Sequence, residues 1–310
     1  MRIIKITHPD LPSETQASVC ALGFFDGVHR GHKKVLQEAV REAEKRSISA
    51  AAMTFTPHPK EVLRGETAPL LTPDDEKASL IEAEGIDILY MVTFDERFAD
   101  LSPQEFVDDY IIGLQIEHVA AGFDYTYGSK GKGTMDSFAF HSRGRVTHTV
   151  VEKYEESGEK ISSTAVREFL SEGRTDDAAV LLGRPHSVSG KVVYGEQRGR
   201  TIGFPTANVE VDKAVVLPAA GVYAVTFSLD GEILEGVANI GVKPTFHEEH
   251  PKTLEVHLFS FDETIYDRFV SVHFHERIRG EVKFPSFDAL KTQIAADAQE
   301  AERLHAVRRN

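Results

Sequence analysis

The sequence predicts an α/β domain built on a parallel sheet, followed by an antiparallel β-barrel domain that ends in a helix. Three observations carry that expectation. Apolar segments near residues 19 to 25, 48 to 55, 86 to 94 and 117 to 123 are separated by helical patterns, the rhythm of βαβ units. Gly183-Arg184-Pro185 then breaks a helix and makes a domain joint, dividing the chain into residues 1–185 and 186–310. Beyond the joint the apolar period changes to two, with Tyr223, Val225, Phe227 and Leu229 on one face, and Leu254, Val256 and Leu258 on another. With 310 residues the chain exceeds the size of one comfortable core, so two domains are the default.

Within the first domain, Ala21, Leu22, Phe24 and Phe25 suit a buried strand, and Val35, Leu36, Ala39, Val40 and Ala43 mark one stripe of the helix after it. Between them lies Gly23 to His32, G-F-F-D-G-V-H-R-G-H. The spacing therefore puts His29 and His32 at a helix N-terminus, where unpaired N–H groups and the positive end of the helix dipole favour an anion. Two imidazoles three residues apart can share a helix face and add donors, and Gly31 lets a nucleotide approach the backbone. Two histidines capping a turn would have the same spacing.

Further helix starts are legible. Thr72 precedes Pro73; Ser102-Pro103-Gln104-Glu105 forms a capping box with proline at the first helical position; Ser163 and Thr164 open one helix; another runs from near Thr175 to Gly183. Ile161-Ser162-Ser163-Thr164-Ala165-Val166-Arg167 puts hydroxyls at a helix start and a guanidinium one turn in, which suits a polyphosphate or a simple N-cap with a solvated arginine. Thr54-Phe55-Thr56-Pro57-His58-Pro59 presents His58 after the second strand, and Gly122-Phe123-Asp124-Tyr125 follows the fourth. Such strand ends are where an open parallel sheet binds ligands. Neither a P-loop nor G-x-G-x-x-G is present, so templates of those types do not apply.

In the second domain, Asp230-Gly231 suits a hairpin turn, Val270, Val272 and Phe274 continue the period-two pattern, and Ser286 can cap a helix carrying Phe287, Leu290, Ile294, Ala298 and Leu304. Gly199-Arg200-Thr201-Ile202-Gly203-Phe204-Pro205-Thr206-Ala207-Asn208 is a glycine-punctuated loop. Thr206 and Asn208, two apart, offer neutral oxygens to a hard cation on one side of an extended segment, or bond their own backbone in a tight turn. Glu255 alternates with Leu254 and Val256 and so projects outward with His257, as a base for a hydroxyl or as an ordinary strand glutamate.

Composition narrows the classes. The net charge of −14 is dispersed, with 21 basic and 31 acidic side chains before residue 186 and 14 and 18 after it, so no basic stripe speaks for nucleic acid. No apolar stretch reaches the roughly 18 residues of a membrane span, and Met1 to Thr7 is not a secretory signal, so the expectation is a cytoplasmic chain without a membrane partner. The single cysteine, Cys20, reads as a buried inert thiol.

Taken together, G-F-F-D-G-V-H-R-G-H, T-F-T-P-H-P, G-F-D-Y-T-Y-G and I-S-S-T-A-V-R, followed by G-R-T-I-G-F-P-T-A-N, G-V-Y-A, N-I-G-V-K-P-T and L-E-V-H-L-F, resemble the bacterial bifunctional riboflavin kinase/FAD synthetases over nearly the whole chain. The resemblance implies a Rossmann-like nucleotidyltransferase domain before a flavokinase barrel. It further implies phosphorylation of riboflavin to FMN, then adenylylation of FMN by a second ATP with release of pyrophosphate.

Carried over by residue, it implies that Gly23, Phe24, His29, His32, Ser163, Thr164 and Arg167 bind ATP for adenylyl transfer, His29 and His32 acting catalytically. His58, Asp124 and Tyr125 are flavin or nucleotide contact candidates. Gly199, Arg200, Gly203, Pro205, Thr206 and Asn208 would hold ATP for the kinase, with Mg²⁺ on Thr206 and Asn208 and Glu255 as base. Small molecules, riboflavin, FMN and ATP, are then the partners, with homo-oligomerisation left open. Ile265-Tyr266-Asp267 and His186 depart from the resembled pattern, where Leu-Tyr-Gly and Tyr are common.

Overall fold

The computed structural model describes residues 1–65, 69–156, 159–195, 199, 203–242 and 252–309. Arg200, among the expected kinase residues, lies outside them, as do Lys243, Pro244 and Thr245 of the N-I-G-V-K-P-T motif. The chain divides into two compact units, Met1–Ser162 and Ser163–Asn310.

The first unit is built on six parallel strands in the order β1-β4-β3-β2-β5-β8: β1 (Arg2–Ile6), β2 (Ser18–Leu22), β3 (Ser49–Thr56), β4 (Ile88–Thr93), β5 (Ile116–Gly122) and β8 (Thr147–Val151). Both faces are covered, as a parallel sheet requires. On one side α1 (Arg30–Arg46) and α3 (Asp74–Ala83) bury Val35, Leu36, Ala39, Ala43, Ala78 and Ile81 against Val19, Ala21 and Leu89. On the other, α5 (Pro103–Phe106), a π-helical continuation at Val107–Ile112, and α6 (Met135–His141) pack Phe106, Tyr110, Ile111 and Phe138 onto Leu22, Met53 and Tyr90. Short helices α2 (Pro59–Arg64) and α4 (Glu96–Ala99) follow β3 and β4. The strand pairs β6 (Thr126–Tyr127) with β7 (Gly133–Thr134), and β9 (Glu155–Glu156) with β10 (Glu159–Lys160), are small ladders outside the main sheet.

The four expected inner strands are present, with one correction. Phe24 and Phe25 leave the sheet: β2 ends at Leu22, and Phe25 takes φ 55° in the loop before α1. Phe25 is 1% exposed and packs with α1, while Phe24 packs on the opposite cluster. Two neighbouring rings packed into different layers, Phe25 buried and Phe24 partly so, read in sequence as a longer strand. The capping box at Ser102 and Glu105 forms as expected, Ser102 N–H donating to Glu105 Oε2 at 2.8 Å. The sheet's outer strands, β1 and β8, are additional to the apolar rhythm.

The second unit begins with α7 (Ser163–Glu172) and α8 (Thr175–Leu182), the latter closed by Gly183 at φ 71°. These helices lie before the expected joint at Gly183 to Pro185, yet they group with the barrel. Ala219 N–H donates to the Leu170 carbonyl at 2.8 Å, Thr175 Oγ1 to that of His275 at 3.1 Å, and Arg277 to that of Glu172 at 3.0 Å.

The barrel closes in the order β11-β12-β15-β14-β13-β16, all antiparallel: β11 (His186–Val193), β12 (Ala207–Val211), β13 (Gly221–Leu229), β14 (Glu232–Val242), β15 (Lys252–Leu258) and β16 (Phe269–Arg279). Tyr223, Val225, Phe227, Val256, Val272 and Phe274 fill its interior at 0% exposure, the expected period-two faces turned inward. The terminal helix α9 (Phe287–Arg309) lays Ala298, Ala301 and Leu304 on the barrel's outer face against Val222, Ala224 and Val237. No described helix is long and apolar enough to cross a membrane.

Candidate functional site

In the first unit, α1 starts one residue after His29, which is the N-cap: the His32 N–H donates to His29 Nδ1 at 3.1 Å. That bond leaves Nε2 as the donor atom of a neutral His29 ring. The two imidazoles stack at 3.6 Å between centroids and 16° between planes, and the Phe25 edge lies 5.4 Å from His32. Glycine is required between them, because a Cβ at Gly31 would lie 3.2 Å from the His29 ring and 3.7 Å from the Ile161 carbonyl. Burial first, then proximity to His29 and Lys77, holds His32 well below the usual imidazole pKa. His32 is therefore a neutral hydrogen-bonding group at pH 7, and its buried Nδ1 has no hydrogen-bond partner among the described residues. No acidic residue occupies the first turn of α1.

The loop is fixed from beneath. Asp26, 2% exposed, accepts N–H bonds from Leu71 at 2.9 Å and Thr72 at 3.2 Å, tying the G-F-F-D-G segment to the approach of α3. Gly23 N–H donates to the Met53 carbonyl at 3.2 Å, and a Cβ there would lie 2.8 Å from the Phe25 ring. Phe24 meets His58 edge-on at 4.4 Å, so these two expected residues are brought together. His58 also caps α2, its Nδ1 accepting from Lys60 N–H at 3.0 Å. Asp124 is exposed in the turn after β5, and Tyr125 beside it packs against the inner cluster, burial raising its phenol pKa.

Ser163, Thr164 and Arg167 occupy the opening of α7 in the second unit, where the Arg167 guanidinium donates to the Ser163 carbonyl at 3.3 Å.

Across the barrel wall, antiparallel register sets Asn208 opposite Glu255 and Glu255 opposite Asn239, so three polar side chains share the outer face of β12, β15 and β14. The glycines explain how the preceding loop reaches them. A Cβ at Gly195 would overlap the Asn208 amide at 2.2 Å, and one at Gly199 would lie 2.3 Å from the Phe204 carbonyl and 3.5 Å from Thr206 Oγ1. Phe204 N–H closes the loop on the Gly199 carbonyl at 2.9 Å, with Gly203 at φ 89° between them. Gly199, Thr206, Asn208 and Glu255 are thus brought together, as the sequence expects.

His257, on the same face of β15 as Glu255, donates from Nδ1 to the Pro205 carbonyl at 2.7 Å and meets Phe204 edge-on at 5.3 Å. Beside it opens a cleft of about 670 Å³, whose walls include Phe204, Pro205, His257, Phe259, Phe261 and Ala298. In the sequence His257 lies on the outer face without a role, and Asn239 is only the first residue of N-I-G-V-K-P-T. The register across β14 supplies what was missing, and it is a long-range pairing.

The departures have local partners. Asp267 sits at φ 65° and pairs with Lys191 at 2.7 Å; buried His186 donates from Nε2 to the Val216 carbonyl at 2.8 Å.

Comparison with known proteins gives two family matches, FAD synthetase over residues 11–165 and riboflavin kinase over residues 182–305. A Bacillus subtilis (strain 168) protein named bifunctional riboflavin kinase/FMN adenylyltransferase is 48% identical over 98% of this chain and 98% of its own length. The protein of that name from Escherichia coli (strain K12) is 38% identical over 96% of each. A crystal structure described as a macrolide-efflux protein from Streptococcus pneumoniae superposes with a TM-score of 0.90 at 34% identity, covering 98% of this chain and 99% of that one.

Proposed function

The chain belongs to the bifunctional riboflavin kinase/FMN adenylyltransferase family, and from that membership we propose that it phosphorylates riboflavin to FMN in its barrel and converts FMN to FAD with a second ATP at the histidine pair. What carries the reading is that each unit has its own constellation: His29 stacked on His32 at the N-terminus of α1, and Asn208 in register with Glu255 across the barrel wall. We assign residues 1–185 to adenylyl transfer and 186–310 to the kinase.

In the kinase step, the cleft beside His257 sets the rings of Phe204, Phe259 and Phe261 among polar Ser260, Asp262, Gln299 and Glu302, a mixed lining that suits the flat isoalloxazine ring with its polar edge, and Glu255, two residues along the same face, accepts the proton of the ribityl 5′-hydroxyl as it attacks the γ-phosphorus of ATP. The Thr206 hydroxyl and Asn208 amide oxygen, beside the Gly195 and Gly199 cradle, are a hard, neutral pair that fits Mg²⁺, an ion that keeps most of its shell on phosphate and water. When bound, Mg²⁺ neutralises phosphate charge. The protein's own part is positioning, which phosphoryl transfer chiefly demands.

In the second step, an FMN phosphate oxygen bonds to the α-phosphorus of ATP as the bond to the β-phosphate oxygen breaks and pyrophosphate leaves. His29 and His32 donate hydrogen bonds to charge developing on the phosphates, and no covalent enzyme intermediate is needed. Gly23 and Phe24 shape the loop, Ser163, Thr164 and Arg167 serve the ATP phosphates, and His58, Asp124 and Tyr125 serve flavin or nucleotide contacts. The dispersed negative charge supports small-molecule partners rather than nucleic acid.

Incubating the protein with riboflavin, ATP and Mg²⁺ and separating the flavins over time tests the reading. FMN followed by FAD is expected. FMN alone would leave the first domain without adenylyl transfer, and unchanged riboflavin would point to a flavin-binding protein without turnover.

A further inference from the structure

Gly241 pairs with Thr253 in the β14–β15 ladder. A glycine weakens a strand, and neither usual reason for one applies here. Its φ lies outside the left-handed region, and among the described residues a Cβ would meet nothing closer than 3.4 Å, an ordinary contact. What the glycine leaves is room. Three polar atoms surround the place a side chain would take: Asn239 Nδ2 at 3.4 Å, Thr253 Oγ1 at 3.4 Å and Glu281 Oε1 at 3.5 Å. Asn239 and Thr253 share the outer face with Glu255, Asn239 as its cross-strand partner and Thr253 two residues along β15. Glu281 arrives from the connection between β16 and α9. The start of that connection is fixed by Arg279, which bonds Asp297 at 2.7 Å and donates to the Gly280 carbonyl at 2.9 Å. Asn239 and Glu281 are exposed, so the hollow is open to water and a ligand can enter it.

The geometry points to this hollow as the subsite for the riboflavin 4′-hydroxyl, the neighbour of the reacting one, with Glu281 as the residue that selects for it. This assignment rests on Glu255 being the kinase base. A hydroxyl both donates and accepts, and the hollow answers both needs: the Asn239 amide donates, while the Glu281 carboxylate and the Thr253 oxygen accept. A phosphate entering here would face the carboxylates of Glu281 and Glu255, and like charge turns it away. Held in the hollow, the 4′-hydroxyl fixes the carbon beside it and so presents the 5′-hydroxyl to Glu255. Glu281 accepts a hydrogen bond and takes no proton, so the balance of the phosphoryl transfer is unchanged.

The test compares two flavins in the kinase reaction: riboflavin, and an isoalloxazine carrying a 5-hydroxypentyl chain, which keeps the terminal hydroxyl and lacks the others. The unsubstituted protein prefers riboflavin. Glu281→Ala lowers kcat/KM for riboflavin about 10- to 100-fold, as for loss of a hydrogen bond to a charged group. It leaves kcat/KM for the hydroxypentyl flavin and the KM for ATP unchanged. Glu281→Gln, which keeps an accepting oxygen, recovers part of the loss. Gly241→Ala fills the hollow with a methyl group that the strand accommodates, and it produces the same selective loss.

Equal losses on both flavins would show a merely structural role and overturn the assignment, as would unchanged riboflavin kinetics or an unsubstituted protein indifferent to the missing hydroxyls. If Glu281→Ala does not fold by circular dichroism, Gly241→Ala decides alone by the same criterion. Glu255→Gln run in parallel keeps the two readings apart. A loss there with unaltered flavin preference in Glu281→Ala and Gly241→Ala removes only the hollow, whereas riboflavin phosphorylation that survives Glu255→Gln removes the proposed kinase site and the hollow's role beside it.

Discussion

His29 and Gly195 show how single side chains make these sites specific. His29 caps α1 through Nδ1, so the donor left for a phosphate is Nε2. Gly195 leaves room that a methyl group would take from the Asn208 amide, whose nitrogen would lie 2.2 Å from the new Cβ. Gly195→Ala displaces the proposed Mg²⁺ ligand, and flavokinase kcat/KM is expected to fall about 10²-fold, the order of loss for a misplacement near 1 Å; FAD formation from supplied FMN is unchanged. An alanine variant with full kinase activity would place the nucleotide elsewhere. Asp267 holds φ 65°, a conformation glycine adopts without strain, while Lys191 pairs with its carboxylate at the surface. Asp267→Gly is therefore expected to leave the thermal midpoint level or raised by a few degrees, and a clear fall would show that the ion pair outweighs the backbone. At this scale the sequence was informative where chemistry depends on neighbours in the chain: H-x-G-H, the capping box, Asp230-Gly231 with φ 50° and 89°. Glu281 was hidden because Gly-Glu-Val-Lys has the pattern of a surface turn, and only the tertiary approach of its carboxylate to Gly241 shows otherwise.

The elements legible in the sequence were those buried on both faces or alternating cleanly. Strands β2, β3, β4 and β5 lie inside the sheet and carry apolar runs. The edges, β1 with R-I-I-K-I and β8 with T-H-T-V-V, face water on one side and mix lysine, threonine and histidine with apolar residues, so their pattern is weak. Helix α9 was visible from its apolar positions, but what fixes it is an ion pair: Arg279 reaches Asp297 through bonds of 2.7 to 3.1 Å, Asp297 is 4% exposed, and Gln293 adds a bond at 2.8 Å. Removing one member of a largely buried pair strands the other. Asp297→Ala is expected to cost about 3 kcal/mol in urea unfolding of the barrel unit, whereas a change below about 0.5 kcal/mol would mean that the apolar contacts of Ala298, Ala301 and Leu304 hold the helix unaided.

Over the whole molecule, buried imidazoles set the response to acid. Burial is the first cause in each case: it pushes His118 to about 4, His186 to about 4 and His275 to about 3, from an ordinary 6.5. These groups are neutral when folded, so on acidification the unfolded chain binds protons first. Their contribution to stability is full above about pH 6.5 and is lost as pH falls toward 4. The urea midpoint is expected to be lower at pH 5 than at pH 7; an equal or higher midpoint would contradict the burial. The two-unit plan was legible from the change of apolar period, while the grouping of α7 and α8 with the barrel rests on long-range bonds such as Arg277 to Glu172 that no local pattern announces.

The central claim is a division of labour between two nucleotide sites, and the complementary pair His29→Ala and Glu255→Gln tests it most directly, each assayed with riboflavin and, separately, with FMN as the flavin. His29→Ala should make FMN at the normal rate and form FAD about 10² to 10³-fold more slowly, while Glu255→Gln should be slow on riboflavin and normal on FMN. A single substitution that abolished both reactions in a folded protein would show one shared ATP site and contradict the account.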